Sequence, residues 1–529
     1  MKRLLYIILA VGLMMSVTLT GGTGSSSAAQ ANKILRIGMG SLPDQLDPAA
    51  AADDSTVTVV KGLFEGLVRL NAAGQAVPAI AKSWTLSKDG RTYTFALRGD
   101  AKWSNGQQVL ASDFEYAWKR ALAPEAKNVY AFNMYMINNA QNYNEGLLKD
   151  TSKIGVKALN NTTLQVTLKE KTSYFIQLLA ESIYLPVYAK TAKANNQWAT
   201  DLKSMVTNGP FKLKTWKSNE ISIVKNPAYY AAQEIKLPEV RLLLPGNPTA
   251  AYMNKEVDWV GGGGEESVDY TSLDSASSRD LHEGPYASTY FYQFNLTKPP
   301  FDNLKIRQAL AMAIDREALR YGNPAFGLVP PSIHGTQLNF RTEMSDKMYF
   351  HEDVAAAKQL LKEGMREAGL TKFPSFTIIV NEYINHDVIA SKVIKDWQKN
   401  LGIEASVEVQ SFEELLDNRI HQNYAIARAG WSADFNDPAS MLELFSSQNV
   451  SNDTGWSNAG YDRYMQQARQ AANPGTRMQI YATAEKLLMD QMAVIPLFYS
   501  VTDYLSHPNI KNVYVDYDGA IAFTRGSWR

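Results

Sequence analysis

Arg428-Ala429-Gly430-Trp431-Ser432-Ala433-Asp434-Phe435-Asn436-Asp437-Pro438 is the most informative stretch of this chain. The apolar lead Tyr424-Ala425-Ile426-Ala427 reads as a strand that delivers it. One cation, one glycine, two aromatics and two acids then fall within eleven residues. Gly430 has no side chain, so another backbone could come close there. Asp437-Pro438 reads as the N-cap and first position of a helix over Ala439 to Phe445. Two carboxylates three apart at a helix entry are the pattern of a cap and its neighbour, rather than of an acid–base pair. Asp434 has no such local role. It lies between Ala433 and Phe435, in a segment too apolar for an ordinary solvated loop, where a carboxylate needs a cation or several donors. Either it pairs internally, with Arg428 for example, or it receives a positive group on a ligand.

Outward from this stretch the pattern is one of alternating strands and helices. Phe376 to Val380 reads as a strand and Val388 to Leu401 as a helix closed by Gly402. A strand over Ile403 to Val409 and a helix over Phe412 to Ile420 follow, and then comes the lead into Arg428. With helices over Val354 to Ala368 and Thr476 to Met489 and a strand over Ile495 to Tyr504, residues 290 to 500 read as an α/β sheet domain. Ligands of such sheets sit beyond the carboxyl ends of strands, which is where Asp434 would lie. Before this domain, Ile34 to Gly38 predicts a strand and Val57 to Leu70 a helix. Ser83 to Leu86 and Tyr93 to Leu97 predict a strand pair across Lys88-Asp89-Gly90. Ser112, with Glu115 three residues on, is the expected N-cap of a helix to Ala121. Gly261 to Gly264 reads as a flexible loop. It lacks the Lys-Ser/Thr of a phosphate loop, and Glu265-Glu266 would repel phosphate.

Lys plus Arg equals Asp plus Glu at 53 each, without a long run of either sign, so nucleic acid and anionic membrane are poor partners. Lys2-Arg3, an apolar run to about Leu19 and small residues to Ala31 have the layout of an export signal. Leu19-Thr20-Gly21-Gly22 resembles a lipoprotein box with Gly22 where the lipid-bearing cysteine must be. The chain has no cysteine, which excludes thioether lipidation, disulfides and thiolate metal sites. The roughly 500 residues that follow suit two or three domains. No motif nominates a metal, a cofactor or a catalytic nucleophile: the six histidines are scattered, and His351-Glu352 has Ala355 where a zinc helix needs its second His. Arg419, His421, His386 and Arg428, set behind one acid, suit a zwitterion with a fixed positive end and a variable negative end, as in a peptide.

Several further motifs, in this order, carry a family resemblance over almost the whole mature chain. They are Phe64-Glu65-Gly66-Leu67; Ser83-Trp84 through Asp89-Gly90, Tyr93-Thr94-Phe95 and Lys102-Trp103-Ser104 to Asp113-Phe114; Asn208-Gly209-Pro210-Phe211; Lys225-Asn226-Pro227; Tyr290 to Asn295 with Pro299-Pro300-Phe301; and Arg307-Gln308-Ala309-Leu310. The chain resembles the extracytoplasmic oligopeptide-binding proteins of bacterial ABC importers. That resemblance implies an α/β, two-lobed, three-domain periplasmic-binding-protein-like fold (type II, large peptide-binding class). It implies domain I over 32–58, 181–289 and 501–529, domain II over 59–180 and domain III over 290–500, after a signal over 1–31. It further implies that Asp434, behind Gly430-Trp431-Ser432-Ala433, receives the α-amino group of a short peptide, and that Arg428, Arg419 and His386 receive carboxylates of peptides of different length. A monomer without enzymatic activity or cofactor, exported to the periplasm or the outer face of the membrane, would hand peptides to an ABC permease. Sugars or signalling peptides are the alternative ligands on the same fold.

Overall fold

The structure, a computed structural model, describes residues 33–262, 268–383 and 385–529. The export signal and Gly263 to Glu266 therefore lie outside the described residues.

Two long strands, Leu281–Phe294 and Val494–Ser506, organise the molecule. They run antiparallel through the middle of an 11-stranded sheet and belong to both of its halves. On one side, Leu281–Phe294 pairs with Ile426–Ser432, which is followed across the sheet by Phe376–Asn381 and Ala405–Gln410. On the other, Val494–Ser506 pairs with Trp259–Val260, then come Leu35–Gly38, Glu239–Leu243, Glu220–Lys225 and Phe211–Lys217. The ladder between the long strands is not continuous. Leu281 to Pro285 pair with Leu505 to Val501, the register slips, and pairing resumes from Thr289 with Tyr499. Tyr286, Ala287 and Ser288 thus sit at a break where one half of the sheet turns into the other.

The half that carries Asp434 has the α/β pattern expected from its sequence. Phe376–Asn381 is parallel to both Ala405–Gln410 and Ile426–Ser432. The connecting helices are His386–Leu401, closed by Gly402 in the left-handed region, and Phe412–Ile420. Ile378, Val380 and Ile426 pack with Leu310, Val393 and Trp397 into a dry core of their own. The Trp397 indole donates to the Leu310 carbonyl across it, at 2.8 Å.

A separate four-stranded antiparallel sheet lies within residues 81–167. It contains the expected pair, Ala81–Leu86 with Thr92–Leu97. The helix over 111–121 begins at Ala111, with Leu110 rather than Ser112 at its N-cap. Asp113 takes the capping role, accepting the Leu110 N–H at 2.9 Å and the Trp103 indole N–H at 3.0 Å. The expected helix over 57–70 occupies Asp54–Leu63 instead, started by Asp53 through the Thr56 N–H. It stops because Phe64 is extended and Asn208 binds the Glu65 backbone on both sides, leaving Val68–Leu70 to form a strand. Gly261 and Gly262 are not loose. Both have positive φ, and a side chain at Gly261 would stand 2.1 Å from the Asp503 carbonyl, so glycine is required for the chain to pass the long strand.

Candidate functional site

Strand Ile426–Ser432 alternates two faces. Ala427 and Ala429 are buried with no exposed surface, and Ala433 continues that face. Arg428, Gly430 and Ser432 lie on the opposite face, and Asp434 follows two residues beyond. That face opens progressively, from buried Ile426 to half-buried Arg428 and exposed Ser432. It forms a lane with a cation at one end and an acid at the other. Gly430 and Ser432 lie between, so no bulky side chain blocks it. A side chain placed at Gly430 would meet the Thr289 carbonyl at 3.5 Å and the Arg428 guanidinium at 3.6 Å, which is ordinary contact. The glycine is therefore not demanded by packing, and its place in the lane leaves room above the strand.

Asp434 is held from behind. Its N–H donates to the Ser440 hydroxyl at 2.7 Å, while the Trp431 indole donates to the Ser440 carbonyl at 2.8 Å. The Ala433 N–H donates to the carbonyl of Ala287, at the break in the long strands, at 2.7 Å. Trp431 thus serves as a fastener between strand and helix. The helix it grips, Pro438–Leu442, has the expected cap: Asp437 accepts the Ala439 N–H at 3.0 Å. Asp437 is also ion-paired with Arg477 at 2.6 Å. Asp434 has no counterpart of this kind. Among the described residues no cation stands within 4 Å of its carboxylate, and burial pushes its pKa up to about 6. The internal pair with Arg428 is not formed. Asp434, Ser432 and Tyr130 line a cavity of about 300 Å³ at the break between the halves of the sheet.

The cations divide in two. Arg428 has no carboxylate partner among the described residues, and its buried Nε has no hydrogen-bond acceptor. Its guanidinium lies over the Tyr290 ring, 5.1 Å from the centroid. His386, at the start of its helix, shares that ring: its Nδ1 is 3.2 Å from the Tyr290 hydroxyl. Burial first, and the Arg428 charge second, lower the His386 pKa to about 4, so the imidazole is neutral near pH 7, a hydrogen-bonding group rather than a cation. The Tyr292 hydroxyl in the same layer is also buried without a partner. Arg419 is different. It is bound to Asp453 at 2.9 Å, and Asp453 also accepts from Gln293 at 2.8 Å. His421 is exposed and pairs within its own helix turn with Asp417 at 3.1 Å. The structure brings Arg428 and His386 together and leaves Arg419 engaged. The two tyrosines, Tyr290 and Tyr292, were not singled out from sequence, where they read only as strand residues.

Among the described residues no group of three or more His, Asp or Glu side chains is placed to hold a metal ion, and no helix is long and apolar enough to cross a membrane.

Residues 75–453 match the model of the bacterial extracellular solute-binding proteins, family 5 Middle. The chain belongs to this family. It is a binding protein, not an enzyme, with the type II, large peptide-binding-class fold. The oligopeptide-binding protein OppA of Bacillus subtilis is 35% identical, the match covering 97% of this chain and 96% of that protein. Among solved structures, the unliganded open form of the periplasmic murein tripeptide-binding protein MppA superposes with a TM-score of 0.82 at 28% identity, covering 94% of this chain and 97% of that one. Peptide-bound OppA of Listeria monocytogenes gives a TM-score of 0.68 at 28% identity, covering 94% and 99%. The matched part of the chain superposes more closely on unliganded open MppA than on peptide-bound OppA.

Proposed function

We propose that this protein captures short peptides by their charged ends and delivers them to the membrane permease of an ABC importer. The observation that carries the reading is the pair of unmatched opposite charges on one lane, Asp434 and Arg428, in a neighbourhood where Asp437 and Arg419 each have a partner. Six residues of extended chain separate them, about 20 Å at most, at roughly 3.3 Å per residue. An extended tri- to pentapeptide fits within that span. Its ammonium would meet Asp434 and its carboxylate Arg428, with His386 and Tyr290 as hydrogen-bonding neighbours. Arg419 would serve a longer peptide only by leaving Asp453.

Small or absent side chains between the ends leave the middle of the peptide to backbone contacts and water, which favours tolerance of sequence. Domain I would carry one wall of the cleft and domain III the other, with domain II, 59–180, attached to the first. Bending at the break in the two long strands would close the walls over the ligand and place the Asp434–ammonium pair where screening is low. The names of two relatives, an oligopeptide-binding and a dipeptide-binding protein of Bacillus subtilis, support binding of peptides over the alternative of sugars. We place the protein outside the cytoplasmic membrane, as a monomer, and without the thioether lipid that a cysteine would bear.

The test is calorimetric titration of protein stripped of bound peptide by unfolding and refolding. Tri- to pentapeptides with free amino termini are expected to bind, and their N-acetylated forms to bind about 100-fold more weakly or not at all. Asp434→Asn is expected to remove that difference. Equal binding of acetylated and free peptides by the native chain would overturn the reading.

A further inference from the structure

We propose that Glu170 to Tyr174 form a clasp on the part of the chain that carries Asp434, and that this clasp sets the affinity for peptides by holding the cleft open. The inference rests on the reading of capture by closing walls and names the contact that opposes the closing.

The clasp joins domain II to domain III. Glu170 to Tyr174 follow strand Thr163–Thr167 of the four-stranded sheet and meet the end of helix Ala459–Gln470. The residue after that helix, Ala471, is extended, so the helix lacks the left-handed glycine that closes many others. Its last carbonyls are served from the other domain instead. The Ser173 hydroxyl donates to the Ala468 carbonyl at 3.2 Å, the Ser173 N–H to that of Arg469 at 3.1 Å, and the Lys171 ammonium to that of Gln470. A cation at this end also suits the helix dipole. The Arg469 guanidinium completes the joint, 3.1 Å from Glu170 and 2.9 Å from Glu443, one acid from each domain. Tyr174 and Phe435 are both buried, and their rings stack with centroids 5.1 Å apart. Phe435 follows Asp434 directly, yet neither ring lines the cavity that Asp434 faces. The clasp is therefore outside the ligand lane and touches it only through the backbone of one neighbour.

Domain II is fixed to domain I as well. Arg120 holds Asp47 with two hydrogen bonds, at 2.5 and 2.6 Å. The Trp118 indole donates to the Tyr184 carbonyl at 2.8 Å, and the Ser104 N–H to the Thr207 carbonyl at 2.7 Å. When domain III bends about the break at Tyr286 to Ser288, the clasp is the joint that has to give. A hydrogen bond is lost once its atoms part beyond about 3.5 Å, so a shift of about 1 Å undoes the set. The clasp is made in an arrangement that superposes more closely on an unliganded open relative than on a peptide-bound one. Its contacts thus weight the equilibrium toward the open side. A peptide that needs the closed state binds with an apparent Kd divided by the fraction of chains in that state, so bias from the clasp reappears, fold for fold, in the Kd.

The experiment compares the full chain with three variants, by titration with Ala-Ala-Ala and by small-angle X-ray scattering without ligand. Glu170→Gln/Lys171→Met/Ser173→Ala removes the polar side-chain contacts of the clasp, and Glu170→Lys sets a second cation against Arg469. All three positions are partly exposed, so the fold tolerates the changes. Arg120→Met cuts a joint between domains II and I and is the control. Both clasp variants are expected to bind the tripeptide about three- to tenfold more tightly than the native chain and, without ligand, to scatter as more compact particles. Arg120→Met is expected to show neither change. Unchanged or weaker binding by both clasp variants, or equal tightening by Arg120→Met, would overturn the clasp and leave peptide capture standing. If the native chain binds no peptide, peptide capture is overturned, and scattering alone decides whether the clasp holds the cleft open: no compaction in either clasp variant overturns that too.

Discussion

Asp434 and Asp437 are three residues apart in one chain segment, yet the fold treats them in opposite ways. Asp437 caps a helix through the Ala439 N–H and is locked to Arg477 at 2.6 Å. Asp434 is gripped only through its backbone, and its carboxylate faces a cavity with no cation in contact among the described residues. The basic side repeats the contrast: Arg419 is paired with Asp453, while Arg428 has a ring beneath it and no carboxylate. In each pair one charge has a partner within the chain, and the other has no opposite charge in contact among the described residues. A charge without a partner is tolerated only where a benefit offsets its desolvation, and under the proposed function that benefit is the ligand.

The sharpest way to break the comparison is to remove the structural member. Asp437→Ala deletes a cap and strands Arg477, which is largely buried, so a stability loss of about 3–5 kcal/mol is expected. Urea unfolding of the ligand-free protein measures it. A loss under about 1 kcal/mol would mean that the pairing is not what holds this helix entry, and the contrast with Asp434 would lose its force.

On the basic side the expected effects divide between stability and affinity. Arg428→Met should weaken peptides with a free carboxylate about 30-fold, or ~2 kcal/mol, and leave their C-terminal amides little changed. It should also raise the His386 pKa, because the Arg428 charge is one of the two causes that depress it. Proton resonance titration of the imidazole reads that shift directly. Arg419→Met should act mainly on unfolding, through Asp453. If the two variants lost affinity equally, Arg419 would be exchanging its internal partner for the ligand, and the division drawn here would fall.

Much of this was legible before the fold. The cap at Asp437 follows from Asp-Pro before an apolar run, because a cap is a local matter. The strand–helix order around Phe376 to Ile420 was legible for the same reason, and helix Phe412–Ile420 has the expected bounds. The pairing of charges was not. Asp453 lies 34 residues from Arg419, and Arg477 lies 40 from Asp437, so sequence could not distinguish engaged from free members. The long strands were read only in part, since Leu281 to Pro285 are more exposed and lack the apolar alternation of Tyr290 to Phe294. Glu181 gave no signal at all, because the hydroxyl that holds it, that of Tyr517, lies 336 residues away.

The finest test of the comparison is the stability of Asp434→Asn, where the sign matters more than the size. In the folded protein the carboxyl titrates near 6, against about 3.9 in an unfolded chain. The folded state therefore holds this proton more tightly, which favours folding below about pH 4. That contribution fades as the pH rises through 6, and above it the ionised group is a constant burden on the ligand-free fold. Asn carries no such charge. The variant should match the native chain at pH 4 and exceed it at pH 7 by about 1 kcal/mol, once solvent screening at the partly exposed Asp434 is allowed for. The same carboxylate predicts that affinity for free-amino peptides falls on acidification through pH 6, since the ammonium requires the anion. Paired urea titrations at the two pH values read the first effect. A variant less stable than the native chain at pH 7 would show that Asp434 has an internal partner after all, and would return it to the class of Asp437.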